Sequence, residues 1–108
     1  MEMDTALDAL SALAQPTRLA IFRLLVRSGP PGLRPGELGS ELELAPATLS
    51  FHLAHLRRAG LVIRESAGRE RIYRAEFDVM HGLVDYLTEN CCGGDDCRPR
   101  ESDRATGT

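Results

Sequence analysis

Pro46-Ala47-Thr48-Leu49-Ser50-Phe51-His52-Leu53-Ala54-His55-Leu56-Arg57-Arg58-Ala59-Gly60 is the stretch on which the fold turns. Proline at its head suits the first turn of a helix, where the N–H it lacks would be unpaired anyway. Leu49, Leu53 and Leu56 recur at i, i+4 and i+7 and make one buried stripe, and Gly60 is placed to end the helix. With that stripe turned inward, the spacing predicts an outer face of Ala47, Thr48, Ser50, His52, Ala54, His55 and Arg58. Phe51 is a further candidate for that face.

Working outward, Pro35 opens a short helix with Leu38 and Leu42 four residues apart, so residues 35–59 read as two helices joined by a brief turn. Downstream, Leu61-Val62-Ile63 and Arg71-Ile72-Tyr73-Arg74 read as strands around a turn at Ala67-Gly68-Arg69. Upstream, Leu7, Leu10 and Leu13 mark a first helix near 4–14. Leu19, Ile21, Phe22, Leu24 and Leu25 give a second helix a broad apolar face. Gly29-Pro30-Pro31-Gly32 ends it. Met80, Leu83, Val84 and Leu87 place a last helix near 76–89. The class is mostly α with a β-hairpin: a winged helix-turn-helix. Residues 1–90 form the domain, and 91–108 a thiol-bearing tail whose polar end is expected to be disordered.

At 108 residues the chain holds one modest core. No apolar run approaches a membrane span and no secretory signal pattern begins it, so the expectation is a cytoplasmic protein with no membrane partner. The net charge of −3 is misleading, because residues 46–75 carry six arginines against Glu65 and Glu70, a local +4. A basic patch beside a helix-turn-helix is an electrostatic footprint for nucleic acid. Thr48, Ser50 and His52 are the expected base or phosphate contacts, and Ala47 allows close approach. On the hairpin, Arg69 at the tip and Arg71 are expected to grip phosphates, partly offset by Glu65 and Glu70. Leu7, Leu10 and Leu13 with Val79, Leu83, Tyr86 and Leu87 offer more apolar surface than one small core needs, which points to a homodimer.

Leu13-Ala14-Gln15-Pro16-Thr17-Arg18-Leu19, Leu49-Ser50-Phe51-His52-Leu53, Leu56-Arg57-Arg58-Ala59-Gly60-Leu61-Val62 and Gly68-Arg69-Glu70-Arg71-Ile72-Tyr73 together resemble the ArsR/SmtB family of metal-responsive repressors. The resemblance covers roughly residues 5–90. It implies a homodimer built from the first and last helices, with Ala47, Thr48, Ser50, His52, His55 and Arg58 at double-stranded operator DNA. It also implies a ligand that weakens operator binding. Arsenic-responsive members often place two thiols at the start of the third helix. Arg34 and Gly36 stand there instead, so that site is absent. The cysteines after the last helix resemble a different arsenite-sensing subgroup.

Cys91, Cys92 and Cys97 are the only thiols and fall within seven residues. Three cannot pair off into a disulfide framework. Soft thiolates select thiophilic ions, and three sulfurs suit As(III) or Sb(III), expected here as inducer; no cofactor is required. Another thiophilic metal (cadmium, lead or zinc) and thiol oxidation are alternatives, although structural zinc asks for a fourth ligand. Asp78 and His81 supply only a fragment of the zinc pattern seen on last helices. A small phosphatase or arsenate reductase, suggested by the spacing of Cys92 and Arg98, is disfavoured. Asp95 and Asp96 would sit where the anion must bind.

Overall fold

The computed structural model describes residues 1–94. Its elements are α1 (Met3–Leu13), α2 (Pro16–Ser28), α3 (Pro35–Leu42), α4 (Pro46–Arg58), β1 (Val62–Ala67), β2 (Glu70–Ala75) and α5 (Phe77–Thr88), then a short 3-10 turn over Cys91–Gly94. This is the winged helix-turn-helix order that the sequence predicts. Pro16, Pro35 and Pro46 each occupy the first turn of a helix. The Gln15 side-chain Oε1 accepts from the Arg18 backbone N–H at 2.7 Å, which satisfies one donor that the start of α2 leaves open.

The core is aliphatic. Ile21 and Leu25 of α2, Leu38 of α3, Leu49, Leu53 and Leu56 of α4, and Leu61 are buried together, closed off by Val62, Tyr73 and Ala75 of the hairpin. α1 docks on this core through Ala6, Ala9 and Ala12, all buried. Methyl-sized side chains let its backbone come close, and the larger leucines are turned away: Leu7 is 54% exposed. Leu10 on α1 and Val84 and Leu87 on α5 are exposed as well.

β1 and β2 pair antiparallel with Val62 opposite Ala75 and Ala67 opposite Glu70, leaving Gly68 and Arg69 as the two-residue tip. Gly68 has φ +66, and glycine at the first tip position is what a type II′ hairpin turn asks for. The hairpin is fastened to the helix-turn-helix by Leu33, which lies between α2 and α3. Its N–H donates to the Tyr73 carbonyl and its carbonyl accepts from the Tyr73 N–H, both at 2.8 Å. Reading helix and wing therefore form one unit. No single helix is long and apolar enough to cross a membrane.

Candidate nucleic-acid interface and thiol site

α3 ends at Glu43 in the left-handed region (φ 55), and the Leu44 N–H donates back to the Gly39 carbonyl at 2.9 Å. That tight turn swings the chain so that α4 begins at Pro46 across the end of α3. A groove of about 360 Å³ lies between them, lined by Gly36, Gly39, Ser40, Leu49 and Ser50 among others. Ala47, Thr48, Ser50 and Phe51 are exposed along the N-terminal half of α4, and Arg58 is exposed near its end. His55 is half-buried beside a cleft of about 250 Å³ that it shares with Asp8, Ser11 and Arg58.

His52 is a correction. The expected base-reading histidine is 9% exposed and belongs to the buried set of α4. It precedes Leu53 and flanks the leucine stripe, where α2 covers it. The Arg18 guanidinium donates to its Nδ1 at 3.4 Å and to the Ala12 carbonyl at 2.7 Å, tying α4 through α2 to the end of α1. An arginine can only donate, so Nδ1 must accept and the neutral ring is the form that fits. Burial first, and then the Arg18 charge, hold its pKa below the usual histidine value. Phe51 takes the outward place, 62% exposed, its ring edge-on to that of His52 with centroids 5.2 Å apart.

The hairpin is more strongly basic in effect than its composition implies. Glu70 accepts from the Arg34 guanidinium of the α3 cap at 2.7 Å, and Glu65 pairs with Arg74 of the neighbouring strand. Glu70 is thus engaged by an arginine from outside the wing, whereas Glu65 offsets the wing's own Arg74. Among the described residues, Arg57, Arg58, Arg64, Arg69 and Arg71 form no ion pair. Arg57, Arg58 and Arg64 border a cleft of about 530 Å³ between the end of α4 and the base of the wing. Reading helix, cleft and tip place cationic forks on one continuous unit, which is what gripping a phosphate backbone requires. Sequence reading missed this pairing because Arg34 and Glu70 are 36 residues apart.

At the far end of the domain α5 stops at Thr88, and the chain turns sharply through Asn90 (φ 57), Cys92 (φ 55) and Gly93 (φ 69). Left-handed backbone at two non-glycine residues is uncommon, and here it brings the Cys91 and Cys92 sulfurs to 3.7 Å. Cys92 is a free, exposed thiol. Cys97 lies outside the described residues, as do Arg98 and the rest of the expected tail. Among the described residues no three histidine, cysteine or acidic side chains are gathered closely enough to hold a metal.

The fold and its arginine-bearing face define a helix-turn-helix DNA-binding protein. Residues 13–65 match a helix-turn-helix domain family. The transcriptional activator HlyU of Vibrio cholerae is 34% identical over 87 residues, which is 81% of this chain and 78% of that protein. The transcriptional repressor SmtB of Mycobacterium tuberculosis is 37% identical over 84 residues, 77% of this chain and 60% of that one. A solved HlyU structure superposes with a TM-score of 0.64 at 37% identity, covering 81% of this chain and 97% of that one. A solved possible transcriptional regulator for arsenical resistance gives 0.61 at 28% identity, over 93% and 94% of the two chains. The homodimeric winged helix-turn-helix domain of Mb0332 from Mycobacterium bovis shares the fold, with a TM-score of 0.66 at 23% identity over 90% of each chain. The chain belongs to the ArsR/SmtB family of DNA-binding transcriptional regulators. It is a regulator and not an enzyme, which disposes of the phosphatase and arsenate reductase alternative.

Proposed function

We propose that this regulator is a homodimeric cytoplasmic repressor released from its operator by trivalent arsenic or antimony bound at Cys91, Cys92 and Cys97. The observation that carries the reading is the 3.7 Å approach of the Cys91 and Cys92 sulfurs on a bent backbone at the end of α5. Once both are thiolates, sulfurs this close can reach one soft ion, and Cys97 would supply the third sulfur of the set that As(III) or Sb(III) takes. The site needs its thiols reduced, because the ion binds the thiolate. The similarity to a possible regulator for arsenical resistance supports the same inducer class.

On this reading Ala47, Thr48, Ser50, His55 and Arg58 of α4 meet the major groove, and Arg69 and Arg71 of the wing hold phosphates. The exposed apolar faces of α1 and α5 pair with those of a second copy. Closing thiolates around the ion reorganises the end of α5 and with it the orientation of the two reading helices. The ligand acts only as far as it prefers the DNA-incompetent arrangement, with coupling of about 1–3 kcal/mol.

The test is release of a labelled operator fragment under reductant, titrated side by side with arsenite, antimonite, zinc and cadmium. Arsenite and antimonite should release it at the lowest concentrations. Single Cys→Ser changes should leave operator affinity intact and blunt release. A triple Cys→Ser protein that is still released at the parent's arsenite concentration would exclude the site.

A further inference from the structure

We propose that Phe51 reads a thymine methyl in each half of the operator. The inference rests on α4 being the DNA-facing helix and names what one side chain of that helix recognises. Among the described residues the other exposed large apolar side chains lie on the N-terminal segment, α1, α2 and α5, and none of them is aromatic. Phe51 alone stands on α4, 62% exposed. Its neighbours along the outer stripe, Ala47 four residues before and Ala54 three residues after, carry only methyl groups. The ring therefore stands above those two neighbours.

Its orientation is set from behind. The edge-on contact with His52, at 72° between ring planes, backs the phenyl ring against a residue that is itself buried. Arg18 then holds His52 to the end of α1 through the Ala12 carbonyl. Backed in this way on one side, the ring gives up less freedom on binding than an unsupported one would.

What it can meet follows from the chemistry of DNA. The face of an aromatic ring carries negative charge, so phosphate oxygens are poor partners for it. Base edges in the major groove present hydrogen-bond donors and acceptors with one apolar exception, the 5-methyl group of thymine. Phe51 makes no hydrogen bond, so this methyl is the one feature in the groove that it can distinguish. The polar contacts of Thr48 and Ser50 would set the register in which it is read.

The experiment begins by selecting duplexes from a random pool with the parent dimer, then replacing each thymine of the selected half-site by uracil in turn. That change removes the methyl and keeps the base pair. One symmetry-related pair of positions should weaken parent binding about fourfold per half-site and about fifteenfold when both are replaced. Phe51→Ala should bind the thymine duplex more weakly by a similar factor and show no further loss at that pair. It should keep the parent's response at all other positions, its random-DNA affinity and its helical circular dichroism. Uracil sensitivity that persists at the same pair in Phe51→Ala, or no sensitive pair in the parent, overturns the inference and leaves α4 as the reading helix. Failure of the parent to select any duplex overturns both.

Discussion

His52 shows how one side chain can leave the binding face and still govern it. Its ring is buried against α2, its Nδ1 accepts from Arg18, and Phe51 leans on it from outside. Both His52 and His55 are held below the ordinary histidine value of 6.5, first by burial and then by the Arg18 charge. The unfolded chain therefore binds more protons than the folded one around and below that value, and stability rises with pH. This stabilisation is present above pH 6.5 and is lost as the pH falls through the lower folded values. Thermal unfolding followed from pH 7.5 to about 5.5 should show the melting temperature dropping. His52→Gln, which keeps an acceptor and removes the titration, should shrink that drop. An equal drop in the variant would place the sensitivity outside this histidine.

Among the elements, α4 and the hairpin were legible because their signals are local: the Leu49, Leu53, Leu56 stripe, the Pro46 start, and glycine at the wing tip all act within a few residues. What binds them together was not. The Leu33–Tyr73 bridge and the Arg34–Glu70 pair join residues far apart in sequence, and the burial of His52 depends on Arg18, 34 residues away. The helical period alone leaves a residue flanking the leucine stripe free to face either way. Gly32 marks the same bridge from the backbone side. It has φ +70, and a Cβ there would stand 2.4 Å from the Tyr73 carbonyl oxygen. At the wing tip Gly68 has φ +66 with open space around it. Gly32→Ala should therefore cost more than the roughly 1–3 kcal/mol of backbone strain that Gly68→Ala incurs, because the wing must also shift. Chemical denaturation of the two variants checks the order. Gly32→Ala should lose specific DNA affinity as well, since wing and reading helix lose their common anchor.

At the scale of the whole molecule, the apolar surface divides into a core and a second face. α1 spends its alanines on the core and keeps Leu7 and Leu10 outside, while α5 buries Leu83 and leaves Val84 and Leu87 exposed. Periodicity predicts both helices but cannot say which apolar stripe meets the core and which meets a partner, since each stripe has helical spacing. Leu7 at 54% and Leu87 at 59% exposure are large side chains with half or more of their surface still to bury, worth about 0.8–1.7 kcal/mol each. A symmetric dimer counts each of them twice. Leu7→Glu with Leu87→Glu should then yield a monomer by sedimentation at micromolar concentration. Its core is untouched, so circular dichroism should stay helical. The monomer should hold one half-site only, losing the steep preference for a two-fold symmetric duplex whose half-sites lie about 34 Å apart. If the double variant stays dimeric, these faces are not the interface. The route proposed from the thiols at the end of α5 to the paired reading helices would then fail with them.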